Sequence, residues 1–120
     1  MVLIFTGVEE LDKELEKNIY NSRVVYYPDY ILEEKEAKIL ITTVQPNKFN
    51  FKEFMFKVRE KDIRVILILE NQKSKELKTA LQLGIYDIIF DNFEITDITK
   101  LVNKASPFSL VSKYIKNILD

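Results

Sequence analysis

Short aliphatic runs alternate with helical stripes along the whole chain. VLIF (Val2 to Phe5) is followed by TGVEELDKELEKNI, in which Val8, Leu11, Leu15 and Ile19 recur at helical spacing. Thr6 stands where a capping hydroxyl belongs and Glu9 lies three residues on, the pattern of a capping box. RVVYY (23–27) predicts a second strand closed by Pro28-Asp29, and the charged stretch DYILEEKEAK predicts one irregular turn. KILITTV (38–44) predicts a third strand that Pro46-Asn47 ends. In FNFKEFMFKVREK, Phe51, Phe54, Met55 and Val58 fall at i, i+3, i+4 and i+7, an inward stripe. RVILIL (64–69) is apolar enough for a strand buried on both faces. SKELKTALQLG predicts a helix with Leu77, Ala80 and Leu81 inside and Gly84 at its C-terminus. YDIIF (86–90) is the fifth strand, and EITDITKLVNK a helix burying Ile95, Ile98 and Val102.

Strands alternating with helices across connections of a few residues predict a parallel sheet covered on both faces. Right-handed crossovers then favour an α/β three-layer sandwich of the flavodoxin-like kind, with strand order 2-1-3-4-5, over residues 1–104. Residues 105–120 add an extra C-terminal helix. Ser106 reads as its N-cap and Pro107 as its first residue. Phe108, Val111, Ile115 and Ile118 share one side, with Tyr114 flanking. A stripe of that length needs a surface, either on its own domain or on something else, and the sequence leaves both open.

Composition removes whole classes of chemistry. Without histidine or cysteine the chain cannot build a Ser-His-Asp or Cys-His centre, an imidazole or thiolate zinc site, or a disulfide. Gly7 and Gly84 are its two glycines, so no glycine-rich phosphate cradle forms. A formal net charge of -1 gives no bulk attraction to nucleic acid or a membrane surface. No apolar run approaches the ~20 residues of a membrane span, and the start lacks the basic residues of a signal peptide. No cofactor, nucleic acid or membrane contact is expected, and the cytoplasm is the expected location.

LGIYDIIFDN, following a helix that ends in glycine, resembles the end of a two-component receiver domain (the CheY-like fold), and ILITTVQP resembles its third strand. The resemblance runs through the order of elements over roughly residues 1–104. Receivers hold Mg²⁺ on an acidic pair after the first strand; here Thr6 and Gly7 follow Phe5. The phosphoryl-accepting aspartate is matched by Thr42 (or Thr43), counting back from Pro46. The hydroxyl of the fourth strand is matched by Leu69, with Glu70 next, the lysine after the fifth strand by Asp91 and the proline by Asn92. Metal ligands, nucleophile and cation are all replaced. The resemblance therefore implies a pseudo-receiver that is no enzyme and holds no metal. A degenerate receiver with a trailing helix also looks like the N-terminal domain of MinD/ParA-type ATPases of the pilus-assembly and partitioning kinds. There such a domain contributes to dimerisation or localisation and a P-loop ATPase domain follows, which here would lie beyond Asp120.

Two sets of residues are candidates for contact. Thr6, Thr42, Thr43, Glu70, Asn71, Asp91 and Asn92 fall near the strand ends where α/β sheets hold ligands, and Glu70 with Asp91 could offer two carboxylates to a cation. Capping and turn roles fit the same residues. A flavin is not expected, since the carboxylates of TGVEEL would repel its phosphate. On the basic third helix, placing Phe51 and its partners inward turns Phe56 about 140° away, towards solvent. Flanked by Lys52, Lys57 and Arg59, it has the form of an interface anchor with a basic rim. The expected function is a non-catalytic interaction domain that pairs with a second copy or a protein partner, through Phe56 or the unit from Leu77 to Val102. The alternative is a sensor of a small ligand or cation at the strand ends.

Overall fold

A computed structural model describes residues 1–119, with side-chain surroundings through residue 117. The strands are β1 (Val2–Phe5), β2 (Ser22–Val24), β3 (Ile39–Thr43), β4 (Arg64–Leu69) and β5 (Asp87–Phe90). The helices are α1 (Glu9–Asn18), α2 (Pro28–Glu33), α3 (Phe51–Glu60), α4 (Glu76–Gln82), α5 (Ile95–Asn103) and α6 (Phe108–Leu119). All strands are parallel, in the order β2-β1-β3-β4-β5. This is the expected flavodoxin-like sandwich.

Strand side chains alternate between two cores. Leu3, Phe5, Leu40, Val65, Leu67 and Leu69 face a layer formed with α2, α3, α4 and α6, while Val2, Ile4, Ile41, Ile66, Ile68 and Ile89 face α1 and α5. Because both faces are covered, the central strands carry continuous aliphatic runs, Ile39 to Ile41 and Val65 to Leu69, instead of alternating with polar residues. At one edge, β2 is only three residues long, and the Val24 N–H is capped by Glu16 Oε2 at 3.2 Å. A short strand with a carboxylate on its free edge resists pairing with another chain.

Helix ends follow local chemistry. Asn50 caps α3 by accepting from the Glu53 N–H at 2.9 Å, and Glu94 and Asp97 form a capping box on α5. The α4 C-terminus closes through Ile85 N–H on the Ala80 carbonyl and Gly84 N–H on the Leu81 carbonyl. That Schellman closure requires a left-handed residue, and Gly84 supplies it at φ +76°.

The structure departs from the sequence reading at several points. The expected turn after Pro28 is the helix α2, short but real, because proline fits the first helical position and Ile31 is wholly buried beneath it. Thr6 does not cap α1. The N-cap is Val8, without a side-chain bond, and Glu9 pairs with Lys13 at 3.0 Å. Val8 is 52% exposed rather than inward, and Phe51, Ile95 and Val102 are only partly buried. β2 ends before the tyrosines, with Tyr26 and Tyr27 in solvent.

The C-terminal helix docks on its own domain. Val111 is buried among α4 and sheet residues, and Tyr114 and Ile115 pack beside it. Tyr86 meets Phe108 with ring centroids 6.0 Å apart, and Phe90 meets Tyr114 at 6.1 Å, so α6 runs alongside β5 in the same direction. α6 begins at Phe108, leaving Pro107 just ahead of it, and the Ser106 N–H donates to Asp87 Oδ1 at 2.6 Å. Asp87 also pairs with Arg64 at 3.6 Å, and Arg64 donates to the carbonyls of Leu101 and Val102 at the end of α5. The side chain of Ile118, expected in the stripe, lies outside the described residues, as does Asp120. No described helix is long and apolar enough to cross a membrane.

Candidate functional site

Register brings the strand ends together. Phe5 lies opposite Thr42, Thr43 opposite Ile68, and Leu69 opposite Phe90. Leaving β1, Thr6 turns its backbone N–H (3.1 Å) and its hydroxyl (2.6 Å) onto the same oxygen of Asp12, while the hydroxyl accepts from the Val8 N–H at 3.2 Å. Asp12 is 4% exposed. Burial pushes its carboxyl above the ordinary range, opposed by the Thr6 hydrogen bonds and the Lys48 charge. Asp12 is not among the candidates that the sequence offers. Its spacing to Leu15 and Ile19, at i+3 and i+7, was the available signal that it shares the buried stripe.

The β3 end is stitched to β1. The Thr43 hydroxyl donates to the Thr6 carbonyl at 2.7 Å, and Gln45 Nε2 to the Phe5 carbonyl at 2.8 Å. Gln45 lies over Gly7, where a Cβ would stand 2.8 Å from Oε1; at φ +76° glycine serves both the turn and this approach. Thr42 is completely buried and its hydroxyl donates to the Thr43 carbonyl at 2.9 Å. Leu69 is buried on β4, and the Asp91 N–H donates to its carbonyl at 3.1 Å. Lys48, absent from the sequence-based candidates, supplies a cation from the loop after β3. Its ammonium sits 5.5 Å from the Phe5 ring centre and donates to the Tyr26 carbonyl at 3.4 Å.

Thr43, Leu69, Glu70, Ser74, Glu76 and Asp91 line a cleft of about 420 Å³, so Glu70 and Asp91 do come to one place. Thr6, Gly7 and Thr42 do not line it. Among the described residues no three carboxylates are grouped to hold a metal ion.

On α3, Phe56 is 53% exposed, as its spacing implied, beside a concavity of about 440 Å³ shared with Lys52, Glu53, Lys57, Glu60 and Leu83. The basic rim needs correction. Arg59 turns inward, donating from Nε to the Leu83 carbonyl (3.1 Å) and from Nη1 to the Ile63 carbonyl (2.8 Å). Its guanidinium fastens two loops and does not line that concavity. Lys57 pairs with Glu53 at 3.4 Å, so the rim is of mixed charge.

Comparison with solved structures finds receiver domains. The response regulator DrrB of Thermotoga maritima, an OmpR/PhoB homologue, superposes with a TM-score of 0.71 at 14% identity, over 86% of this chain and 50% of that one. This chain thus spans half the length of that protein. The BeF3-activated DrrB receiver domain gives 0.68 at 14% identity, covering 86% and 93%. The receiver domain of the putative response regulator NarL from Mycobacterium tuberculosis gives 0.66 at 16%, covering 85% and 91%. No family model and no curated protein sequence matches the chain. The likeness is one of fold.

Proposed function

We propose that this receiver-like domain is a protein-interaction module with no phosphoryl chemistry of its own, acting by dimerisation or by localising a larger protein. One observation carries the reading. At the position matched to the receiver's acceptor, Thr42 is wholly buried and its hydroxyl is already given to the Thr43 carbonyl. Around it, Thr6, Thr43 and Gln45 spend their donors on Asp12 and on backbone carbonyls. Apolar side chains stay outward elsewhere on the domain, among them Phe56 on α3 and Phe108 and Leu110 in the first turn of α6. Two copies held together raise the effective concentration of whatever each carries. Phe56→Asp is the test. It should weaken self-association or binding of a protein partner with the circular dichroism spectrum intact; unchanged association would remove Phe56 from the interface.

The same reading extends to an N-terminal part of a MinD/ParA-type ATPase. A P-loop motif encoded downstream of Asp120 would support that extension, and a stop codon there would end it.

The cleft holding Glu70 and Asp91 favours a second reading, a cation or small-ligand sensor. It predicts a melting temperature raised by a divalent cation such as Mg²⁺ or Ca²⁺ and not raised in Asp91→Ala.

A further inference from the structure

The cleft that holds Glu70 and Asp91 does not stand alone. It shares two walls, Val44 and Glu76, with a concavity of about 560 Å³ between the starts of α3 and α4. Together they make a groove across the carboxyl edge of the sheet. It leads from Leu11 and Phe93 in the α1/α5 layer to Phe49 and Phe51 in the α3/α4 layer. Apolar side chains line it along the way, with Val44 in the middle and Pro46 beyond. Val8, which helical spacing points inward but which is 52% exposed, lines the first cavity.

The two ends carry opposite charge. Glu70 and Asp91 line one cavity, Lys52 and Lys75 the other, and Glu76 stands on the shared wall. Among the described residues none of these side chains is in an ion pair, whereas Lys57 beside Phe56 is neutralised by Glu53. Unpaired charges of opposite sign at the two ends of an apolar groove give it a polarity that a ligand must match. A metal ion would use one end only, and among the described residues no three carboxylates are grouped to hold one. Each cavity by itself has the volume of a small-molecule site, so a ligand that reaches both ends is long and lies extended.

We infer that this groove binds an extended peptide segment of a partner protein. The segment carries a basic side chain at the Glu70–Asp91 end, an acidic one at the Lys52–Lys75 end and apolar residues between them. In an extended chain every second side chain points the same way, so alternate residues meet the apolar lining. This inference rests on the protein-interaction reading and gives the partner a surface and a chemistry.

A phage-displayed library of random linear peptides, selected on the full chain, tests it. Enriched sequences are made as synthetic peptides with blocked ends. They should carry Lys or Arg at one end, Asp or Glu at the other and apolar residues between, in one fixed chain direction. Asp91→Lys and Lys75→Glu, both at exposed positions, should each weaken a selected peptide about tenfold or more in fluorescence anisotropy, because like charges then meet. The chain carrying both reversals should recover binding to a peptide with its two charged residues exchanged. Selected peptides without that charge order, or indifferent to both reversals, overturn the groove, and so does a selection that enriches nothing. The broader reading is judged separately. Peptides lost only in Phe56→Asp, or a dimer in sedimentation with no peptide enriched, overturn the groove and leave the interaction module standing. A monomer that enriches no peptide overturns both.

Discussion

The strand-end corner and the α4–β5–α6 corner handle their surfaces in opposite ways. At the ends of β1 and β3 a dense set of polar groups is turned inward, with Thr6 donating to the Asp12 carboxylate and Thr42, Thr43 and Gln45 to backbone carbonyls. At α6 the polar work is done by Asp87 and Arg64 under the linker, and the helix leaves aromatic and aliphatic side chains half covered. The buried hydroxyls at the ends of β1 and β3 are thus already engaged, the carboxylates of Glu70 and Asp91 keep an open cleft beside them, and α6 has apolar surface to spare. Residue types mark where chemistry could be; the disposition of their donors decides whether any is left.

Placing a carboxylate at the buried Thr42 position gives the largest expected effect. Thr42→Asp puts an unpaired charge at a site with no solvent access, and should cost about 3 kcal/mol or more in urea denaturation. It should acquire no saturable response to beryllofluoride with Mg²⁺. A stable variant that gains one would show the corner to be open after all. Val111→Asp attacks the other corner, where Val111 is the buried centre of the α6 contact, and should cost about 2–3 kcal/mol or free the helix outright. Hydrogen exchange would then rise in α6 before the sheet.

Asp12 tests the closed corner by pH. Its folded pKa is raised above the ordinary 3.8 by burial, so the folded state holds the proton more tightly than the unfolded chain. Its contribution to stability is greatest below 3.8 and declines as pH rises through the folded value. Asp12→Asn keeps an acceptor for Thr6 and removes that slope, gaining on the natural chain as pH climbs through this window. Parallel pH profiles of the two chains would contradict the assignment. Phe56→Asp is expected to be smallest in stability, within about 0.5 kcal/mol, since the ring is mostly in water. Its effect belongs in association.

The fold was legible because both faces of the sheet are covered. Ile39 to Ile41 and Val65 to Leu69 are continuous aliphatic runs in their strands, and the outward turn of Phe56 follows from helical spacing alone. The misreadings lie where a side chain chose among several backbone partners. Thr6 looked like a cap because hydroxyls before a helix usually are. Here Asp12, one turn in, competes for the same hydroxyl and wins with a 2.6 Å bond. Arg59 looked like a rim cation because its sequence neighbours are charged, and two free carbonyls at Ile63 and Leu83 drew it inward. The helix after Pro28 was hidden by its charge, since one buried residue, Ile31, anchors it. Nor could the sequence tell what surface α6 covers, because its partners Tyr86 and Phe90 are brought beside it only by the sheet.

Sedimentation equilibrium of residues 1–120 across a wide concentration range tests the interaction reading most directly. A reversible monomer–dimer equilibrium is the predicted result. A single monomeric species at every concentration would contradict self-association.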